Sequence, residues 1–227
     1  SNIMLNISNI TLLASNWTVQ DMTVFITHTR ADQFKINIKA SKFNQNNEKG
    51  EHKKVLIYNT TMGGIDVQGA FKVRIEKCEF DGYFKDFKMQ PLPRVRTTFV
   101  NIKDSSLEIK DVKFLNFGKN ILADYAILYA ITNCGVSITN SKFMHSIGLY
   151  GLIYVGNNSH IFINNSTFQE NKALRKDIVG GGCLRLGVKV SVIIKGSQFI
   201  SNSAFRGSVL GYSHSASVFI KNSIFKN

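Results

Sequence analysis

The stretch "VSITNSKF" (136–143) alternates apolar and polar residues like a strand, then breaks that alternation by one residue before resuming it. The break recurs along the chain in "IFINNSTF" (161–168), "VFIKNSIF" (218–225), "INIKASKF" (36–43), "VRIEKCEF" (73–80), "LEIKDVKF" (107–114) and "VIIKGSQF" (192–199). Weaker copies read "LNISNITL" (5–12) and "WTVQDMTV" (17–24). The common template is φ-x-φ-x-x-σ-x-φ, with φ apolar and σ mostly small. Two apolar positions spaced by two share one face of a strand. The following step of three would turn the next side chain outward unless the backbone bends, so a sharp bend is required immediately before σ. The residues there are Asn9, Asp21, Ala40, Lys77, Asp111, Asn140, Asn165, Gly196 and Asn222. Seven of the nine are Asn, Asp or Gly, the residues that enter left-handed backbone angles at least cost. Helical three-and-four spacing is missing from the template.

A second strand candidate follows each unit after a polar corner: "KVLIYN" (54–59), "TTFVNI" (97–102), "AILYAI" (126–131), "GLIYV" (151–155), "CLRLGV" (183–188) and "GSVLGY" (207–212). Strand, bend, short strand, corner and strand make one coil of a parallel solenoid. Stacking such coils places Ile, Ser and Phe in ladders. The predicted fold is therefore all-β, a single-stranded right-handed parallel β-helix of about seven to nine coils. It forms one domain over residues 1–227, with residues 1–30 as an irregular or capping coil. Residues 81–96 and 169–182 are long inserted loops. One step fails: Leu12 and Val24 are too close for a full coil.

"FQEN" (168–171) with "GGGCL" (180–184), and "FISN" (199–202) with "GSVL" (207–210), resemble the paired F-x-x-N and G-G-A-[ILV] signatures of chlamydial polymorphic-outer-membrane-protein repeats. "FNQN" (43–46) is a third such element, whereas "FDGY", "FLNF" and "FMHS" lack the Asn, and Cys183 replaces the usual Ala. The resemblance implies a right-handed β-helix similar to the pectin-lyase fold. It also implies a surface-exposed, often adhesive scaffold, and supplies no catalytic residues.

The formal charge of +13 is the outlier of the composition and favours acidic partners, although a solvated basic surface with no partner explains it equally. Three widely spaced cysteines make neither a disulfide framework nor a zinc site, and Cys78 and Cys183 occupy small core positions. No metal and no cofactor is expected. Seven N-x-[ST] sequons occur where 22 Asn and 32 Ser or Thr in 227 residues give about three by chance (22 × 32/227). Asn16, Asn59 and Asn157 are the freest glycan acceptors, which favours an extracellular or cell-surface location. No apolar run is long enough for a transmembrane helix. With no basic-then-apolar leader pattern, any secretion signal is expected to lie outside this sequence, and the stop inside "SIFKN" leads us to expect a piece of a longer protein.

No catalytic motif emerges from the scattered histidines and acids. The inserted segment "DGYFKDFKMQPLPRVR" (81–96) combines Tyr83, Phe84 and Phe87 with Lys85, Lys88, Arg94 and Arg96. Aromatic faces stack on sugar rings and the cations hold carboxylate or sulfate, although the loop could simply cover the coils. The favoured function is a non-enzymatic scaffold or adhesion module, with other segments of a larger parent chain or assembly as partners. The alternative is binding, or lyase-type cleavage, of an acidic polysaccharide through that loop. The basic residues follow no nucleic-acid recognition motif.

Overall fold

A computed structural model describes residues 3–8, 11–13, 16–20, 22–27, 30–32, 35–39, 53–58, 64–69, 71–81, 98–118, 125–175, 181–212 and 215–226. Every regular element among them is a β-strand, and every strand pair is parallel. The first sheet stacks nine strands in chain order: Ile3–Ser8, Met22–Thr27, Lys53–Tyr58, Phe71–Glu76, Ser106–Lys110, Gly135–Thr139, His160–Asn164, Ser191–Lys195 and Ser217–Lys221. The second stacks six short strands, from Glu79–Asp81 to Ile224–Lys226. The third stacks eight, from Asn16–Gln20 to Leu210–Tyr212. The chain visits the three sheets in rotation, so the molecule is a parallel β-solenoid.

The required bend is present at every described copy. Lys77, Asp111, Asn140, Asn165, Gly196 and Asn222 all adopt φ between 47° and 54°. Two further corners turn the same way. Asn116, His145, Glu170 and Ser201 follow the second sheet, and Asp104, Asn133, Asn158, Lys189 and Ser215 precede the first. A left-handed residue reverses the facing of the chain within one step, which lets all three faces point their alternate side chains inward.

The inward rows stack in register. Val73, Leu107, Val136, Ile161 and Val192 form one buried row, and Ile75, Ile109, Ile138, Ile163 and Ile194 the next. Phe80, Phe114, Phe143, Phe168, Phe199 and Phe225 stack ring on ring, with centroids 4.5–5.4 Å apart.

The residue after each bend has an inward amide that the strand ladder cannot serve, and the small σ side chain satisfies it. Ser166 Oγ donates to the carbonyl of Asn164 at 2.9 Å and accepts the amide of Ser141, one coil earlier, at 3.1 Å. Ser141 and Ser197 repeat both bonds. At the second corner the Asn of F-x-x-N performs the same task. Asn171 Oδ1 accepts the amide of Ser146, and its Nδ2 donates to the carbonyl of Phe143 at 2.8 Å. Asn202 Oδ1 in turn accepts the Asn171 amide. "FLNF" and "FMHS" place Phe117 and Ser146 in that same column, and Ser146 Oγ accepts the amide of Phe117. Among the described residues no buried side-chain N or O atom lacks a partner.

About four coils, opening at Ser106, Gly135, His160 and Ser191, carry all three faces in this regular form, fewer than the seven to nine expected. The Phe71 coil is interrupted by residues 82–97, which lie outside the described residues. Toward the amino end the expected phase is wrong. Trp17 and Val19 belong to the third sheet, and Met22 opens the next strand of the first. Ile36 and Ile38 also lie in the third sheet, whereas "KVLIYN" contributes to the first. Ile3 pairs with Met22, only 19 residues on. In so short a coil the third and first faces are separated by a single residue, and the corner between them satisfies the same template. The failed 12-residue step has this cause.

Phe168→Ala should cost about 3–5 kcal/mol, since it empties a buried position between two stacked rings. Asn165→Ala should cost about 1 kcal/mol and Asn165→Gly less, because only the former opposes the left-handed bend. Denaturant titration of the three variants checks both the sizes and their order.

Candidate binding surface

The outward residues of the third face align as strictly as the inward ones. Asn101, Tyr129, Tyr154 and Arg185 occupy successive strands in direct register. Tyr125 and Tyr150 lie four residues before Tyr129 and Tyr154, on the segments that approach this face, and the Ala126 amide bonds the Gly151 carbonyl at 3.1 Å. Four phenol rings thereby meet. Tyr125 stacks on Tyr129 at 5.3 Å and 10°, and lies 5.0 Å from Tyr154 and 5.7 Å from Tyr150. Tyr129 and Tyr154 are 5.0 Å apart. Tyr125 is buried beneath the others, which are half-buried.

Two guanidinium groups complete the patch. Arg185 Cζ lies 5.1 Å from the Tyr150 ring centroid, and its Nη1 donates to the Tyr125 hydroxyl at 3.2 Å. Arg175 Cζ lies 5.0 Å from the same centroid, and its Nη1 donates to the Tyr150 hydroxyl. Burial pushes the Tyr125 phenol well above the ordinary tyrosine range, with Arg185 opposing it. Burial also raises Tyr154, and neighbouring Tyr129 adds to the effect. Tyr125 and Tyr154 are therefore neutral at physiological pH, beside two permanent cations.

Most of the sites expected from the sequence cannot be placed against this patch. Tyr83, Phe84, Lys85, Phe87, Lys88, Arg94 and Arg96 lie outside the described residues, as does Asn59. Asn16 begins a strand of the third sheet. Asn157 is exposed at the end of a third-face strand, and its Oδ1 accepts the Val188 amide at 2.9 Å. Ser159 of its sequon is buried, its Oγ accepting the Cys134 amide at 2.9 Å. The segment expected as a basic loop, 169–182, begins in the strands Thr167–Gln169 and Lys172–Ala173, and its Arg175 reaches Tyr150 of the preceding coil. Sequence reasoning missed the four tyrosines because no one segment holds them. Their signal is Tyr-x-x-x-Tyr at 125–129 and again at 150–154, a shift of 25 residues, which equals the register step from Gly135 to His160.

Other chemical groups serve the fold. Cys78, Cys134 and Cys183 are buried, Cys78 Sγ donating to the Glu76 carbonyl, and burial raises the thiols of Cys134 and Cys183. Gly181 and Gly182 of the glycine run are packed against backbone. A Cβ would meet the Leu184 carbonyl oxygen at 2.1 Å in the first case and that of Ser208 at 2.1 Å in the second. No group of three or more metal-ligating side chains occurs among the described residues. No helix among them is long and apolar enough to cross a membrane. The chain matches no protein-family model, and no curated protein or solved structure is significantly similar to it.

Because the folded Tyr125 holds its proton above the pH at which an unfolded tyrosine releases it, its contribution to stability is complete below about pH 10. It is then lost as pH rises toward the elevated folded value. Phenolate absorbance should reveal a tyrosine that ionises late in the folded protein, and Tyr125→Phe should remove that late component.

Proposed function

We propose that this chain is a non-enzymatic scaffold or adhesion module of an extracellular or cell-surface protein, built from polymorphic-outer-membrane-protein-type repeats. The observation that carries this reading is the use of polar side chains from coil to coil. Ser141, Ser166, Ser197, Asn171 and Asn202 are all committed to bonds between successive coils. Groups held that firmly build a stiff rod with outward columns in fixed register, which suits display. The buried Asn of F-x-x-N and the crowded Gly181–Gly182 pair give the two repeat signatures a physical reason, which supports the family reading. Exposed Asn157 is compatible with a glycan, since its amide oxygen rather than its nitrogen makes the described bond. Its neighbours in a parent chain or assembly would be held at set distances along the rod.

Beads coated with the folded chain should adhere to cells or extracellular matrix, while uncoated beads and beads carrying heat-unfolded chain do not. Incubation with pectate, alginate and glycosaminoglycans should release no ultraviolet-absorbing unsaturated ends. Steady formation of such ends by the chain would replace the scaffold reading with a lyase.

A further inference from the structure

We infer that the tyrosine–arginine patch of the third face binds an acidic polysaccharide, one bearing carboxylate or sulfate groups, laid across successive coils. This deepens the scaffold reading by naming the class of partner, and its failure would leave adhesion through other surfaces intact.

Charge points to an anion. Arg185 is half-buried, and among the described residues no carboxylate pairs with it; its partners are the Tyr150 ring and the Tyr125 hydroxyl. A ring face and a phenol orient a guanidinium without neutralising it. Arg175 lies against the same ring, so two guanidinium groups are gathered at Tyr150. Planar guanidinium groups suit carboxylate and sulfate, which they can grip with two parallel bonds.

The aromatic arrangement points to a sugar. Tyr125 and Tyr129 already stack on each other, and Tyr125 also packs against Tyr150 and Tyr154. Faces used in this way leave less room to stack either a flat base or the face of a sugar ring. What the half-buried rings offer is a ridge of apolar edges and hydroxyls, complementary to a ring with both C–H and O–H groups. The column Asn101–Tyr129–Tyr154–Arg185 crosses four strands. At roughly 4.8 Å per strand it extends about 14 Å, matching an extended chain rather than a single small ion. A polymer is also the ligand for which the excess of +13 adds long-range attraction.

The full chain and its variants can be tested by affinity electrophoresis or calorimetry against polygalacturonate, alginate, heparin, neutral dextran and a single-stranded oligonucleotide. Arg185→Gln and Tyr154→Ser should each weaken binding to at least one acidic polysaccharide about tenfold. Arg185→Lys, which keeps the charge and loses the planar fork, should fall in between. Lys195→Gln removes the same charge from the first face and should change binding less than twofold. Thermal melts of all variants should agree within a few degrees, so that lost binding is not lost folding. Equal effects of Arg185→Gln and Lys195→Gln would reduce the interaction to general charge and overturn the site. Binding to none of the acidic polysaccharides would also overturn it, as would tighter, patch-dependent binding of the oligonucleotide.

Discussion

In-register parallel stacking is the constraint on which this molecule depends. Among the described residues, each coil hydrogen-bonds to the next through its strands, at about 4.8 Å, so each strand position must be compatible with the same position one coil away. The Phe column obeys this through ring stacking: Phe143 and Phe168 are 4.5 Å apart and 2° from parallel. The Ser and Asn columns obey it through hydrogen bonds that each need a partner of similar size one coil further on. Corners obey it as well, since the amides of left-handed corner residues bond carbonyls one coil onward, as from Asn140 to Asn164 and from Asn165 to Lys195.

A coil is therefore not stable by itself, and its burial is a property of its neighbours. Val192, Ile194 and Phe199 are at most 1% exposed. Val218, Ile220 and Phe225, their counterparts in the last described coil, are 43–45% exposed despite equivalent chemistry and register. The energetic unit is the interface between coils, as in other solenoids. The same logic makes the outward columns useful. A face whose backbone cannot shift holds Tyr129, Tyr154 and Arg185 at a fixed spacing, without any loop needing to be ordered for binding.

Much of the fold was readable in the sequence because the determining signal is local. A step of three between apolar positions, with Asn, Asp or Gly before the small residue, requires a bend wherever it occurs, and six of six described bends have positive φ. Lys77 follows them without belonging to the favoured residue types, held by the stack around it. The phase of "WTVQDMTV" was misread for an equally local reason: strands of the third and first sheets, Asn16–Gln20 and Met22–Thr27, follow each other with one residue between and reproduce the same spacing on a different face. The candidate site was not read at all. The aromatic residues that draw attention in the sequence are contiguous at 81–96, whereas those that converge in space come from separate coils.

By itself the sequence determined the coil: its strands, its bends, and which residues face in or out, because these follow from backbone geometry over a few residues. Only the tertiary structure decided which coils' residues become neighbours across the outer surface. That pairing depends on how many residues each loop inserts between strands, 25 from Gly135 to His160 but 31 from His160 to Ser191. The 25-residue step sets Tyr154 beside Tyr129 and Arg175 over Tyr150, and the longer one brings Arg185 into the same column. The spacing of the repeat copies carries those lengths, but only the stacking shows which outward side chains they bring together.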